Sequence, residues 1–199
     1  MNLRKVLVCA ALAQCLTGFA NAQELPALKD IVAGKVIETR SMGAMSWLKD
    51  GERYSRLEKN QETGGFDVVA YKAKDNSREV IIPSSMFIDK TTGKPIAIRS
   101  ISWSADNKKV LIYNNTRRVW RYDTRGDYWV LDLESGKLRQ LGTARPESSL
   151  MFAKFSPDAT RVAYVSENNI YVEDVETGKV TQLTTHGSDR IVNGTCDWV

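Results

Sequence analysis

Ile101-Ser-Trp103-Ser-Ala-Asp106 is repeated as Ala153-Lys-Phe155-Ser-Pro-Asp158, and each copy runs on to a basic-valine pair, Lys109-Val110 and Arg161-Val162. The two copies also close alike, as Tyr128-Trp-Val-Leu-Asp132-Leu-Glu-Ser-Gly136-Lys137 and Ile170-Tyr-Val-Glu-Asp174-Val-Glu-Thr-Gly178-Lys179. The closing Asp stands 29 residues after the aromatic in the first copy and 19 after it in the second, so ten residues are added inside one unit. They fall around Asn114 to Gly126 and hold Arg117, Arg118, Trp120, Arg121 and Arg125. A repeat with one basic, aromatic-bearing loop reads as a scaffold with one elaborated edge.

Around the repeat the pattern is strand. Val68-Val-Ala-Tyr71, Val80-Ile-Ile82, Val110-Leu-Ile-Tyr113, Trp129-Val-Leu131, Val162-Ala-Tyr-Val165 and Ile170-Tyr-Val172 are short, β-branched or aromatic, and separated by turn clusters. The Ser and Asp of Ser-x-Asp are suited to bond nearby backbone amides and so end one strand and start the next. Gly136 and Gly178 supply positive φ for the hairpins that lead into Leu138-Arg-Gln-Leu141 and Val180-Thr-Gln-Leu183. Each unit is thus about four strands, the size of one β-propeller blade. A weaker copy starts at Met45-Ser-Trp47-Leu-Lys-Asp50-Gly51, which places blade starts at Trp47, Trp103 and Phe155. The fold class is all-β, an incomplete propeller. Three blades are too few for a ring of roughly four to eight, and the sequence stops at Asp197-Trp198-Val199 as another strand begins, so the chain reads as truncated.

The first residues have a different character. Asn2-Leu-Arg-Lys5 is basic, Val6 to about Phe19 is apolar, and Ala20-Asn-Ala22 has the small-x-small form of a cleaved signal peptide. Residues 1–22 are expected to be that signal, and the protein to be periplasmic or secreted. The apolar run is too short to span a bilayer, so no membrane anchor is expected. Residues 23–44 form a linker with one short helix, Pro26 suiting its first position and Gly34 its end, with Leu28, Ile31 and Val32 on one face. The propeller portion is then residues 45–199.

Without Arg4 and Lys5 the mature chain carries 26 basic and 24 acidic residues, a net charge of +2, which is no nucleic-acid signature. Cys9 and Cys15 lie in the signal, so Cys196 stands alone and reads as a small buried apolar residue with no internal disulfide. Thr184-Thr-His186-Gly-Ser reads as a loop, and His186 has no acidic, serine or cysteine cluster around it. The sequence holds no G-x-S-x-G elbow, phosphate loop or metal-spaced cluster. No cofactor, metal site or catalytic residue is assigned, and the chain alone should be inactive. Arg125-Gly126-Asp127 matches a cell-adhesion tripeptide but reads as a turn. Asn114-Asn-Thr116 and Asn193-Gly-Thr195 match the glycosylation pattern but also read as turns.

Taken in order, Trp47-Leu-Lys-Asp-Gly51, Trp103-Ser-Ala-Asp106, Val119-Trp-Arg-Tyr-Asp-Thr-Arg-Gly-Asp-Tyr128-Trp-Val-Leu-Asp132, Asn169-Ile-Tyr-Val172 and Asn193-Gly-Thr-Cys-Asp-Trp-Val199 resemble the N-terminal propeller region of dipeptidyl peptidase IV and its bacterial relatives. The resemblance runs from about Leu28 to the last residue. It implies an eight-bladed propeller, about three of whose blades are here, above a C-terminal α/β-hydrolase domain. It also implies peptide substrates with penultimate Pro or Ala, released as N-terminal dipeptides, and it admits a homodimer. By the same resemblance Arg121 donates to the substrate's penultimate carbonyl oxygen, with Trp120 as its support. The family's Glu-Glu pair for the free amino terminus comes a few residues after Asp-Trp-Val, and its Ser, Asp and His triad lies far downstream.

The residues by themselves leave Arg121 a second reading, a loop arginine paired with Asp123 or Asp127. Arg117, Arg118 and Arg125 are expected to be surface charges. The rival for the whole chain is a periplasmic β-propeller binding module with no catalytic domain, against which the Trp120-Arg121 insertion argues.

Overall fold

A computed structural model describes residues 26–34, 43–119 and 121–195. The expected signal peptide, Trp120, Cys196 and Asp197-Trp198-Val199 lie outside the described residues. The chain divides into two compact units, Met1–Ser41 and Met42–Val199. In the first, α1 spans Leu28–Val32 with Ala27 as its N-cap, so Pro26 precedes the helix rather than opening it. Gly34 follows the end at φ +68, as its position suggested, and Leu28 and Val32 are exposed.

The second unit is three four-stranded antiparallel meanders. Blade 1 is β1 (Met45–Trp47), β2 (Arg53–Lys59), β3 (Phe66–Lys72) and β4 (Arg78–Ile82). Blade 2 is β5 (Ile98–Trp103), β6 (Lys109–Val119), β7 (Tyr122–Asp132) and β8 (Leu138–Gln140). Blade 3 is β9 (Met151–Phe155), β10 (Arg161–Ser166), β11 (Asn169–Asp174) and β12 (Val180–Gln182). The aromatics Trp47, Trp103 and Phe155 each end the first strand of a blade. These are blades of a β-propeller.

The turn chemistry follows the repeat. Lys109 N donates to Ser104 Oγ at 2.9 Å and Lys108 N to Asp106 Oδ1 at 3.0 Å. In the next copy Arg161 N reaches Ser156 Oγ at 3.0 Å and Thr160 N reaches Asp158 Oδ1 at 3.1 Å. The donors from Ser156 and Thr160 hold the Asp158 carboxyl down at about 2. At the other turn Asp132 accepts from Ser135 N and Asp174 from Thr177 N, both at 2.8 Å, while Gly136 and Gly178 take φ +65 and +77. The two signatures are one hydrogen-bonding device used twice.

Side chains alternate across each pleat, so each blade offers an apolar face to its neighbour. Val68, Ile82, Ile98, Val110, Ile112 and Leu131 are buried between blades 1 and 2. Leu111, Tyr128, Val130, Val162, Tyr164 and Tyr171 are buried between blades 2 and 3. Within that second core Glu173 is only 3% exposed, yet it is satisfied. Its carboxylate accepts from Arg139 Nη1 at 2.8 Å, Gly142 N at 2.9 Å and Tyr164 Oη at 3.1 Å, joining the two blades. Among the described residues no helix is long and apolar enough to cross a membrane.

Candidate functional site

The insertion is not a loop. β6 and β7 are 11 residues each, whereas β10 and β11 are 6 each, so the ten extra residues are divided five and five between two paired strands. Arg117 pairs with Arg125, Arg118 with Asp123 and Val119 with Tyr122, which leaves Arg121 in the turn that closes this arm. Five residues of strand carry the turn roughly 16 Å beyond the sheet. The sequence reading missed the pairing because polar, arginine-rich strands lack the apolar alternation that marks a half-buried strand. Pairing supplies partners for backbone amides that a free loop would leave to water.

Arg121 is exposed at the end of the arm, and so are Arg117, Arg118 and Arg125 along it. The two carboxylates near Arg121 in the sequence also meet other groups. Asp123 lies 3.3 Å from Arg99 Nη2 on β5, and Asp127 accepts from Asn115 Nδ2 at 2.7 Å and from Ser148 N at 2.8 Å. Trp120, expected beside Arg121, is not among the described residues.

Where the arm leaves the sheet the packing is tight. The rings of Tyr113 and Tyr128 stack at 4.7 Å, and the Tyr113 hydroxyl donates to the carbonyl oxygens of Asp123 and Arg125, both at 2.9 Å. Gly126 lies against that ring. A Cβ there would stand 2.4 Å from Tyr113 Cε2 and 2.7 Å from the carbonyl oxygen of Asn114, so Gly is required by close approach. The Arg125-Gly126-Asp127 tripeptide is therefore part of β7 rather than a turn, with Asp127 buried. Asn114-Asn115-Thr116 likewise lies in β6, where Asn115 takes φ +44 at a bulge. Asn193-Gly194 stands at the edge of the described residues; Asn193 N donates to Asn168 O at 3.2 Å, which ties residues 184–195 onto the β10–β11 turn. Gly187 N, also in this segment, donates to Asn169 Oδ1 at 2.9 Å. That turn occupies in blade 3 the place the arm occupies in blade 2.

Burial pushes the Tyr113 phenol up to about 12. The folded chain thus keeps the phenol protonated after the unfolded chain has begun to ionise near its ordinary value of 10. Its contribution to stability is complete below about pH 10 and is lost as pH rises from there toward 12. Tyr113→Phe should flatten that part of the stability profile, measured by urea unfolding between pH 9 and 12. A slope unchanged by the substitution would contradict the assignment.

His186 is exposed in the segment after β12. No group of three or more His, Cys, Asp or Glu side chains is placed to hold a metal ion among the described residues. A cleft of about 680 Å³ opens between blades 2 and 3, but it is lined by Glu134, Ser135, Thr160 and Glu176 at the turns opposite the arm. It presents both signs of charge and no arranged reactive group. The sequence named Asp127 only as a candidate partner of Arg121 and did not point to Tyr113, Asn115 and Ser148, which meet at the arm's root. The Gly126-Asp127 pair just ahead of the repeated closing segment was the available sign.

Residues 104–199 match the family model described as the dipeptidyl peptidase IV N-terminal region. The probable dipeptidyl-aminopeptidase B of Neosartorya fischeri is 31% identical over 133 residues, which cover 67% of this chain and 14% of that protein. The dipeptidyl aminopeptidase B of Saccharomyces cerevisiae is 32% identical over 126 residues, covering 63% and 14%. The chain thus spans about a seventh of the length of these relatives. The crystal structure of Porphyromonas gingivalis dipeptidyl peptidase 4 matches in fold with a TM-score of 0.65 at 21% identity, covering 82% of this chain and 22% of that one. With the repeated blades, the inserted arm and these relationships together, the chain belongs to the dipeptidyl peptidase IV family, within its N-terminal β-propeller region.

Proposed function

We propose that these blades are the substrate-holding part of an exported serine exopeptidase that releases N-terminal dipeptides ending in Pro or Ala, the chemistry being carried by a C-terminal α/β-hydrolase domain of the full-length protein. The observation that carries the reading is the arm. One blade of a repeat lengthens its two central strands equally and ends them in Arg121, and a plain scaffold has no use for that. A guanidinium presents a rigid plane of donors, which suits a peptide carbonyl oxygen, and a paired-strand arm aims it more firmly than a loop would.

Residues 184–195 support the reading from the other side. They are pinned to the turn equivalent to the arm and lead toward Asp197-Trp198-Val199, after which the family carries its Glu-Glu pair. An arginine on the carbonyl and two carboxylates on the free amine would fix the peptide's start, so that only the second peptide bond reaches the nucleophile. Peptides with a blocked amino terminus would then be excluded.

The test is an assay of the full-length protein on Gly-Pro and Ala-Pro chromogenic substrates, with and without an N-terminal acetyl group. Release from the free amines alone is the expected result, with no release by residues 23–199 alone. No dipeptide release from either form would sink the peptidase reading and favour a binding module.

A further inference from the structure

A knot of side chains stands where the arm leaves the sheet. The register slips twice on the way out, between Asn114 and Arg117 and again between Arg117 and Arg118, and such bulges bend a ribbon and re-aim what it carries. A bulged, two-stranded arm has many outward directions available to it. At its root, Asp127 Oδ1 accepts from Ser148 N at 2.8 Å and Oδ2 from Asn115 Nδ2 at 2.7 Å. The same Asn115 nitrogen donates to Glu147 Oε1 at 2.7 Å, and Ser148 Oγ donates to the carbonyl oxygen of Asn115 at 2.7 Å. Gly126 and Leu150 exchange both backbone hydrogen bonds at 3.0 Å beside them.

The knot therefore joins three pieces of chain: the outgoing strand, the returning strand and the connector to blade 3. Asn115 and Ser148 hold φ +44 and +54, a left-handed conformation that Asn adopts readily and that Ser adopts rarely. Blade 3 has no arm, and its β10–β11 turn closes directly at Glu167-Asn168. Blade 1 buries the equivalent carboxylate, Asp67, whose Oδ1 accepts from Ser84 N at 2.7 Å and whose Oδ2 accepts from Asn60 Nδ2 at 3.0 Å. In blade 2 the same device takes its amide partner from Asn115, on the bulged strand that carries the arm.

We propose that Asp127, through Asn115 and Ser148, is a positioning residue for substrate recognition: the knot sets the direction in which the arm leaves the sheet and hence where Arg121 stands. The proposal rests on Arg121 being the substrate contact and adds what holds it in place. Asp127→Asn keeps an acceptor for Ser148 N but turns an amide NH₂ toward the NH₂ of Asn115. Asn115→Gly deletes the same bond while tolerating positive φ, so the two variants attack one interaction from opposite sides.

Amide hydrogen exchange across residues 116–124 of the full-length protein is the first readout, with the β10–β11 pairs as internal reference. Either variant should speed exchange in the arm about tenfold, the loss of one hydrogen bond to a charged group, and leave blade 3 unchanged. The second readout is kcat/KM on a Gly-Pro substrate. It should fall about tenfold in either variant, and Arg121→Ala should cost much less in the Asp127→Asn background than in the wild type. Unchanged arm exchange in both variants overturns the proposal whatever the kinetics. Faster exchange with undiminished kcat/KM, where Arg121→Ala alone is damaging, overturns it too. If Arg121→Ala alone is harmless, the substrate contact is what fails, and the exchange data still decide whether the knot orders the arm.

Discussion

Glu173→Ala should cost the three-blade unit about 3 to 5 kcal/mol, the range for removing one partner of a buried ion pair. Glu173 lies inside the core between blades 2 and 3, and its loss strands three donors at once: Arg139 Nη1, Gly142 N and the Tyr164 hydroxyl. Arg139 keeps its bond from Nη2 to the Asp174 carbonyl oxygen at 2.8 Å and is 23% exposed, so the lower part of the range is the better figure. Blade 2 shows the apolar alternative. Leu131 pairs with Val110 in the register where Glu173 pairs with Val162, and it is fully buried. Removing both charges as Arg139→Leu with Glu173→Leu should therefore be less costly than Glu173→Ala alone. Urea unfolding of the chain checks both. A loss below about 1 kcal/mol for Glu173→Ala would show that the interblade pair carries little.

Arg121→Ala in the full-length protein should lower kcat/KM on Gly-Pro substrates by about 1.5 to 3 kcal/mol, or roughly ten- to a hundredfold. The size is that of a hydrogen bond from a charged group. Arg121→Lys should recover only part, because an ammonium lacks the planar fork. Arg117→Ala and Arg118→Ala change exposed charges on the arm's flanks and should matter little. The effect needs a folded arm, which the exchange of residues 116–124 reports independently. A kcat/KM within twofold of wild type in the folded Arg121→Ala protein returns Arg121 to a structural role.

The blades were legible because their signals are local. Ser104-x-Asp106 and Glu-Ser-Gly136 make their hydrogen bonds within five residues, so the chain advertises its turns. The ten-residue excess was legible for the same reason, as a difference between two copies of one pattern. The arm's strands were not, since Asn114 to Arg125 has neither apolar alternation nor a Gly-containing two-residue turn at Trp120-Arg121. β2 hides in the same way, its Arg53-Tyr-Ser-Arg-Leu-Glu-Lys59 being mostly polar yet holding seven register pairs with β3. The knot at Asp127 depends on partners 12 and 21 residues away, and Glu173 on one 34 away. Such contacts exist only once the blades are packed, and no local pattern announces them.

The proposed contact between Arg121 and the substrate is tested most directly by altering both ends of it. Replacing the carbonyl oxygen one residue before the scissile bond with sulfur, as a thioamide, gives a substrate whose acceptor is weaker at that atom alone. The wild-type protein should prefer the oxygen substrate by about tenfold more than Arg121→Ala does, because the variant has no donor left to tell the two apart. An oxygen-to-sulfur preference that is the same in both proteins would mean that Arg121 does not touch that carbonyl, and the account of the arm would be wrong.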